Sequence, residues 1–128
     1  MTRNWSAIPL ALVVAACATA PAPAPPPAAA APAVEVLTDG KGMTLYVFDR
    51  DVAGSGKSMC NGPCAVAWPP LLAAGDVSAF GQYTIITRDD GIKQWAYKGK
   101  PLYTWTKDTR PGDRTGDNFN NVWRLATP

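Results

Sequence analysis

Apolar positions fall into three regimes along the chain. Ala7–Ala16 (AIPLALVVAA) is one apolar run. Residues 18–33 are Ala and Pro with a single Thr19, and nothing in their spacing would give a helix or strand a face to bury. From Val34 onward, short runs of β-branched and aromatic residues alternate with clusters of Gly, Asp, Asn and Pro. That third pattern predicts short antiparallel strands joined by turns. Val34–Thr38 and Met43–Phe48 flank Asp39-Gly40-Lys41-Gly42, which predicts a hairpin. Tyr83–Thr87 and Ile92–Tyr97 flank Arg88-Asp89-Asp90-Gly91 and predict a second. Lys98-Gly99-Lys100 then turns the chain into a strand at Leu102–Thr106, with Pro101 at its start, where a missing N–H is tolerated. Val122–Leu125 reads as a closing strand. One helical turn is expected over Pro63–Trp68, with Pro63 early in the turn and Pro69 and Pro70 ending it. No stretch keeps a 3.6-residue apolar period. The fold class is therefore mainly β: a small antiparallel domain with one short helical turn.

The strand pattern repeats. Leu45–Asp51 reads LYVFDRD and Leu102–Asp108 reads LYTWTKD. Tyr46 and Tyr103, Phe48 and Trp105, and Asp51 and Asp108 all stand 57 positions apart. Lys41-Gly42 precedes the first motif as Lys98-Gly99 precedes the second, and Trp68 follows the first as Trp123 follows the second. The domain at residues 34–128 is thus expected to hold two units, about 34–80 and 81–128, packed against each other because neither can bury its own aromatic face. Within a motif the aromatics are two apart and share a strand face. Asp51 and Asp108 fall where strand gives way to loop, where a carboxylate can accept the following backbone N–H groups. An aromatic-plus-carboxylate site for a sugar is the functional alternative for the same residues.

Arg3 followed by the apolar run reads as a signal peptide over residues 1–16. Ten residues at about 1.5 Å each reach only about 15 Å, against a hydrocarbon core of about 30 Å. Val14-Ala15-Ala16-Cys17 has the form of a lipobox, which predicts lipidation of Cys17. Residues 17–33 then become a lipid-anchored Ala/Pro linker, extended as polyproline II. The expected location is the bacterial cell envelope, on its periplasmic or outer-membrane face, with the membrane as one partner and an unidentified envelope component as another. Twelve Lys/Arg against ten Asp/Glu leave a net charge of +2, with no basic patch that would suit nucleic acid.

Composition narrows the chemistry. The chain has no histidine, which removes Ser-His-Asp and Cys-His catalysis and histidine metal sites. Asp49, Asp51, Asp89 and Asp90 all sit where turns would use them. No catalytic residue and no cofactor is expected, and the reading is non-enzymatic. Cys60 and Cys64, in CNGPC, are expected to form a disulfide in an exported protein. The alternative is a copper-binding or thiol-redox accessory protein, in which Met59, Cys60 and Cys64 offer soft sulfur ligands for Cu(I). Asp108, Asp113, Asp117, Asn118 and Asn120 make an oxygen-rich loop. Calcium is one reading of it and a solvated turn the other.

Together the repeat, CNGPCAVAWPPL at Cys60–Leu71 and DGIKQWAYKGKPLYTWTKDTRPGD at Asp90–Asp113 resemble the secreted-repeat lipoproteins, bacterial proteins described by a Y-x-[FWY]-x-x-D motif. The resemblance covers nearly all of residues 34–128. It implies an exported, repeat-built domain whose activity is unknown.

Overall fold

The structure is a computed structural model that describes residues 7, 9–13, 15–18 and 34–128. Most of the expected linker and several positions of the expected signal peptide, Val14 of the expected lipobox among them, lie outside the described residues. Contacts divide the chain into a first unit, Met1–Pro32, and a second, Ala33–Pro128. In the first unit the described residues form no helix or strand, and among all described residues no helix is long and apolar enough to cross a membrane.

The second unit is a small β domain. Its strands are β1 (Tyr46–Phe48), β2 (Tyr83–Thr87), β3 (Lys93–Tyr97), β4 (Lys100–Pro101) and β5 (Trp123–Leu125). A five-residue helix, α1 (Pro63–Ala67), has Pro in its first turn and ends at Trp68, before Pro69. β1 pairs antiparallel with β5, placing Phe48 opposite Trp123. The second sheet is antiparallel in the order β2-β3-β4, with Ile85 opposite Trp95.

Two expected strands are shorter than their sequence pattern or absent. Val34–Thr38 forms only a bridge from Thr38 to Thr44, and Leu102–Thr106 forms only bridges at Tyr103. The backbone hydrogen bonds show why. Leu37 N–H donates to the Ala126 carbonyl (2.8 Å), Ala126 N–H to Leu45 (2.9 Å) and Leu45 N–H to Leu37 (2.9 Å). In the second half Trp95 donates to Leu71 (2.8 Å), Leu71 to Leu102 (2.9 Å) and Leu102 to Trp95 (2.9 Å). Each is a closed triangle of three segments. A segment that donates to one neighbour and accepts from another cannot run a long ladder with either. The extended conformation survives, and the pairing is split three ways.

Between the triangles Tyr46 and Tyr103 exchange a reciprocal pair of backbone hydrogen bonds, 2.8 and 2.9 Å. The two motif segments therefore meet side by side and antiparallel. Their side chains alternate between two apolar layers. Tyr46, Phe48, Tyr103 and Trp105 enter one with Cys60, Trp68 and Trp123; Leu45, Val47 and Leu102 enter the other with Ala126. Burial on both faces explains why LYVF is an unbroken apolar run.

Candidate functional site

The repeated tyrosines and aspartates bond crosswise. Tyr46 Oη donates to Asp108 Oδ2 at 2.6 Å, and Tyr103 Oη donates to Asp51 Oδ2 at 2.6 Å. Each unit's tyrosine thus satisfies the other unit's carboxylate. The second carboxylate oxygens organise the loops: Asp51 Oδ1 accepts Met59 N–H (2.6 Å), and Asp108 Oδ1 accepts the Thr115 N–H (3.0 Å) and hydroxyl (2.6 Å). Burial, then the bond to a carboxylate, hold both phenols far above the usual tyrosine range. Burial also raises the Asp51 carboxyl, against the opposing pull of Tyr103, the Met59 N–H and Arg88.

Above the crossed pairs lies an aromatic stack. Trp68 stacks on Trp123 (3.8 Å between ring centres, 7° between planes) and on Trp105 (4.0 Å, 24°). Tyr46 meets Trp68 edge-on at 5.3 Å, and Tyr103 meets Trp123 edge-on at 5.1 Å. Gly116 leaves the room: a Cβ there would come 2.6 Å from Trp68 Cη2. All these rings and both aspartates are buried, so the motif offers a sugar no accessible surface. Its chemistry is spent on joining the repeats.

Cys60 and Cys64 are joined as a disulfide, with sulfurs 2.05 Å apart. Cys60 is fully buried, whereas Met59 is 64% exposed. In the oxygen-rich loop the carboxylates have local partners. Asp113 Oδ2 accepts the Thr109 N–H (3.0 Å), the Thr109 hydroxyl (3.2 Å) and the Arg110 N–H (3.3 Å). The Thr109 N–H foremost lowers the Asp113 carboxyl below its ordinary value. No cluster of three metal-ligating side chains occurs among the described residues. Asp49 pairs with Arg124 (3.2 Å), Asp89 with Lys57 (3.9 Å), and Asp90 accepts the Ile92 N–H (3.0 Å).

Two features were not read from the sequence. The first is Arg88, placed above in a turn but 4% exposed. Its Nη1 donates to Ser58 Oγ (2.9 Å) and Gln94 Oε1 (2.7 Å), and its Nη2 donates to the Cys60 carbonyl and Asn61 Oδ1 (3.3 Å). Ser58 Oγ also bonds Tyr103 Oη at 2.6 Å, so the disulfide loop is tied through Arg88 and Ser58 to the crossed pair. Strand parity carries the signal: Arg88 is two residues past the buried Ile86 and shares its face. The second feature is the opposite face of that hairpin. Tyr83 stacks on Phe80 (5.0 Å), and Trp95 meets Phe80 edge-on (5.7 Å). With Leu45, Leu71, Leu72, Thr38 and Gly40 they line a groove of about 540 Å³. Phe80 is 62% exposed and Leu72 60%. No charged residue lines the groove.

Searches of curated proteins and of solved structures give no match to this chain. One family model does match, over residues 34–72 and again over 84–127, and its description is a secreted repeat of unknown function. The first matched segment contains one Tyr/Asp motif and Trp68, the second contains the other motif with Trp105 and Trp123, and between them they cover most of the chain. The protein belongs to this family of secreted repeats.

Proposed function

We propose that the protein is a lipid-anchored, non-enzymatic binding module of the bacterial cell envelope that presents the aromatic face of the β2–β3 hairpin to another envelope component. The observation that carries the reading is the exposure of Phe80 and Leu72 around an uncharged groove that the half-buried Tyr83 and Trp95 also line. A contiguous exposed apolar surface of this kind marks an interaction site more often than an accident of folding. Tethering is supported by Val14-Ala15-Ala16-Cys17 and by an exposed, unpaired Cys17. A cysteine carrying two acyl chains holds a membrane far more firmly than one chain does.

The experiment has two arms. Metabolic labelling with a fatty-acid analogue should tag the wild type and leave Cys17→Ser unlabelled; equal labelling would remove the anchor. Photo-crosslinking from position 80 in intact cells should give a discrete adduct that is lost in Trp95→Ser. An adduct pattern indifferent to the groove would remove the binding face. The copper and thiol-redox alternative requires reduced sulfurs. It has less support, because Cys60 lies among aromatic rings where a thiolate would be poorly solvated.

A further inference from the structure

Arg88 is a buried cation, yet its four acceptors are all neutral; Asp51, whose carboxyl it acts on, is linked to it only through Ser58 and Tyr103, and among the described residues no carboxylate lies within ion-pair distance of it. Buried charges are ordinarily paired. One of the four acceptors can become an anion. Asn61 is exposed and is followed by Gly62, the residue that least obstructs cyclisation of a preceding asparagine. Gly62 sits at φ +57° in open space, and its N–H has no acceptor among the described residues. Arg88 Nη2 donates to Asn61 Oδ1 (3.3 Å), which polarises the side-chain carbonyl. Nδ2, the nitrogen that would leave, donates to the Ser58 carbonyl (3.2 Å) and to Asp89 Oδ2 (3.4 Å).

We propose that Asn61 is a self-modification site whose deamidation supplies Arg88 with an anion in direct contact. The Gly62 backbone nitrogen attacks Asn61 Cγ. The N–Cγ bond forms, the Cγ–Nδ2 bond breaks, and ammonia leaves with the proton lost from the Gly62 amide. Water then opens the succinimide ring at either carbonyl, giving aspartate or isoaspartate at position 61. The donor that polarised the amide now faces a carboxylate. The new charge lies 3.4 Å from where Asp89 already bonds, but that side is open to solvent and the repulsion is screened.

The test compares native full-length protein with the same chain unfolded in urea, disulfide intact, both aged at neutral pH and mapped by peptide mass spectrometry. A reaction set by the Asn-Gly sequence alone runs faster in the unfolded chain, which reaches the cyclisation geometry freely. The proposal expects the amide-to-acid mass gain at position 61 to be no slower in the native protein, and to slow there when Asp89 is replaced by Asn. A native rate below the unfolded rate would overturn it. A second measurement does not depend on the rate. Asn61→Asp should melt above the wild type at neutral pH and lose that advantage in acid. The carboxyl beside Arg88 would have a lowered pKa, so its contribution is present above the unfolded pKa and disappears as pH falls through the folded one. An Asn61→Asp variant that melts no higher than the wild type at neutral pH would also overturn it.

Discussion

The two repeats share a frame and differ in how their loops are held. In both, a tyrosine reaches across to the other unit's aspartate, a tryptophan enters the central stack, and three backbone segments close a triangle. The loop after the second motif is held without a disulfide, by hydrogen bonds from Thr115 and Gly116 to Asp108 and Tyr46 and by Phe119 packing on Trp68 and Trp105. The loop after the first carries a disulfide and leans on Arg88, which arrives from the β2–β3 hairpin. Among the described residues the first repeat shows no counterpart of β2, and 57 positions before Tyr83–Thr87 the sequence is Ala and Pro only. What the repeats share makes the core. What they do not share makes the exposed aromatic face and the buried arginine. Features outside the repeat are therefore where function is to be sought.

The stack tests how equal the halves are. Trp68 touches Tyr46, Trp105, Phe119 and Trp123, whereas Trp123 touches Phe48, Tyr103 and Trp68. Truncating a buried tryptophan to alanine costs about 3–5 kcal/mol. Both Trp68→Ala and Trp123→Ala should fall in that range, with Trp68→Ala the worse because it empties the centre of the stack. Urea denaturation followed by circular dichroism measures this. A milder loss for Trp68→Ala would mean that the first repeat's tryptophan is peripheral.

The crossed pairs come next in size. Tyr103→Phe strips Asp51 of its phenol donor and breaks the link through Ser58 to Arg88. Tyr46→Phe strips Asp108 of one donor and the Gly116 N–H of its acceptor, but leaves Asp108 both Thr115 bonds. Leaving a buried polar group short of a partner costs about 1–3 kcal/mol. Tyr103→Phe should lie near the top of that range and Tyr46→Phe near the bottom, by the same denaturation measurement. Equal losses would show that the Arg88 link adds nothing to the pair.

Much of the shared frame was legible in the sequence because it is written twice. The constant spacing of Tyr46, Phe48 and Asp51 from Tyr103, Trp105 and Asp108 announces a repeat without any structural knowledge. Strand lengths were not legible. Leu37 and Leu102 have the residue types of strand interiors, but their hydrogen bonds divide among three neighbours, and composition does not report the partner. The exposed face was hidden for a related reason. Tyr83, Ile85, Trp95 and Tyr97 alternate as a buried sheet face would, and only the tertiary arrangement leaves that face half-covered. Arg88 does open the turn that Arg-Asp-Asp-Gly predicts, with the Gly91 N–H donating to its carbonyl (2.9 Å); a turn sequence does not report that the side chain keeps the inward parity of the strand before it.

The smallest effect separates the two aspartates by pH. Burial raises the Asp51 carboxyl above its unfolded value, so the native state holds that proton more tightly than the unfolded chain does. Asp51 therefore contributes stability that is fully present below the unfolded pKa and is lost as pH rises through the folded one. Asparagine at this position cannot titrate, and its side-chain oxygen can still accept the Met59 N–H. The gap in stability between wild type and Asp51→Asn should accordingly be wider in acid than at neutral pH. The exposed Asp113 runs the other way: its lowered carboxyl contributes above the unfolded pKa and fades as pH falls, so Asp113→Asn should cost more at neutral pH than in acid. Thermal melts of the two variants across the carboxylate range would show the opposite trends. If the gap for Asp51→Asn instead narrowed on acidification, the Tyr103, Met59 and Arg88 contacts would outweigh burial at this carboxylate, and the first crossed pair would behave as a charged anchor.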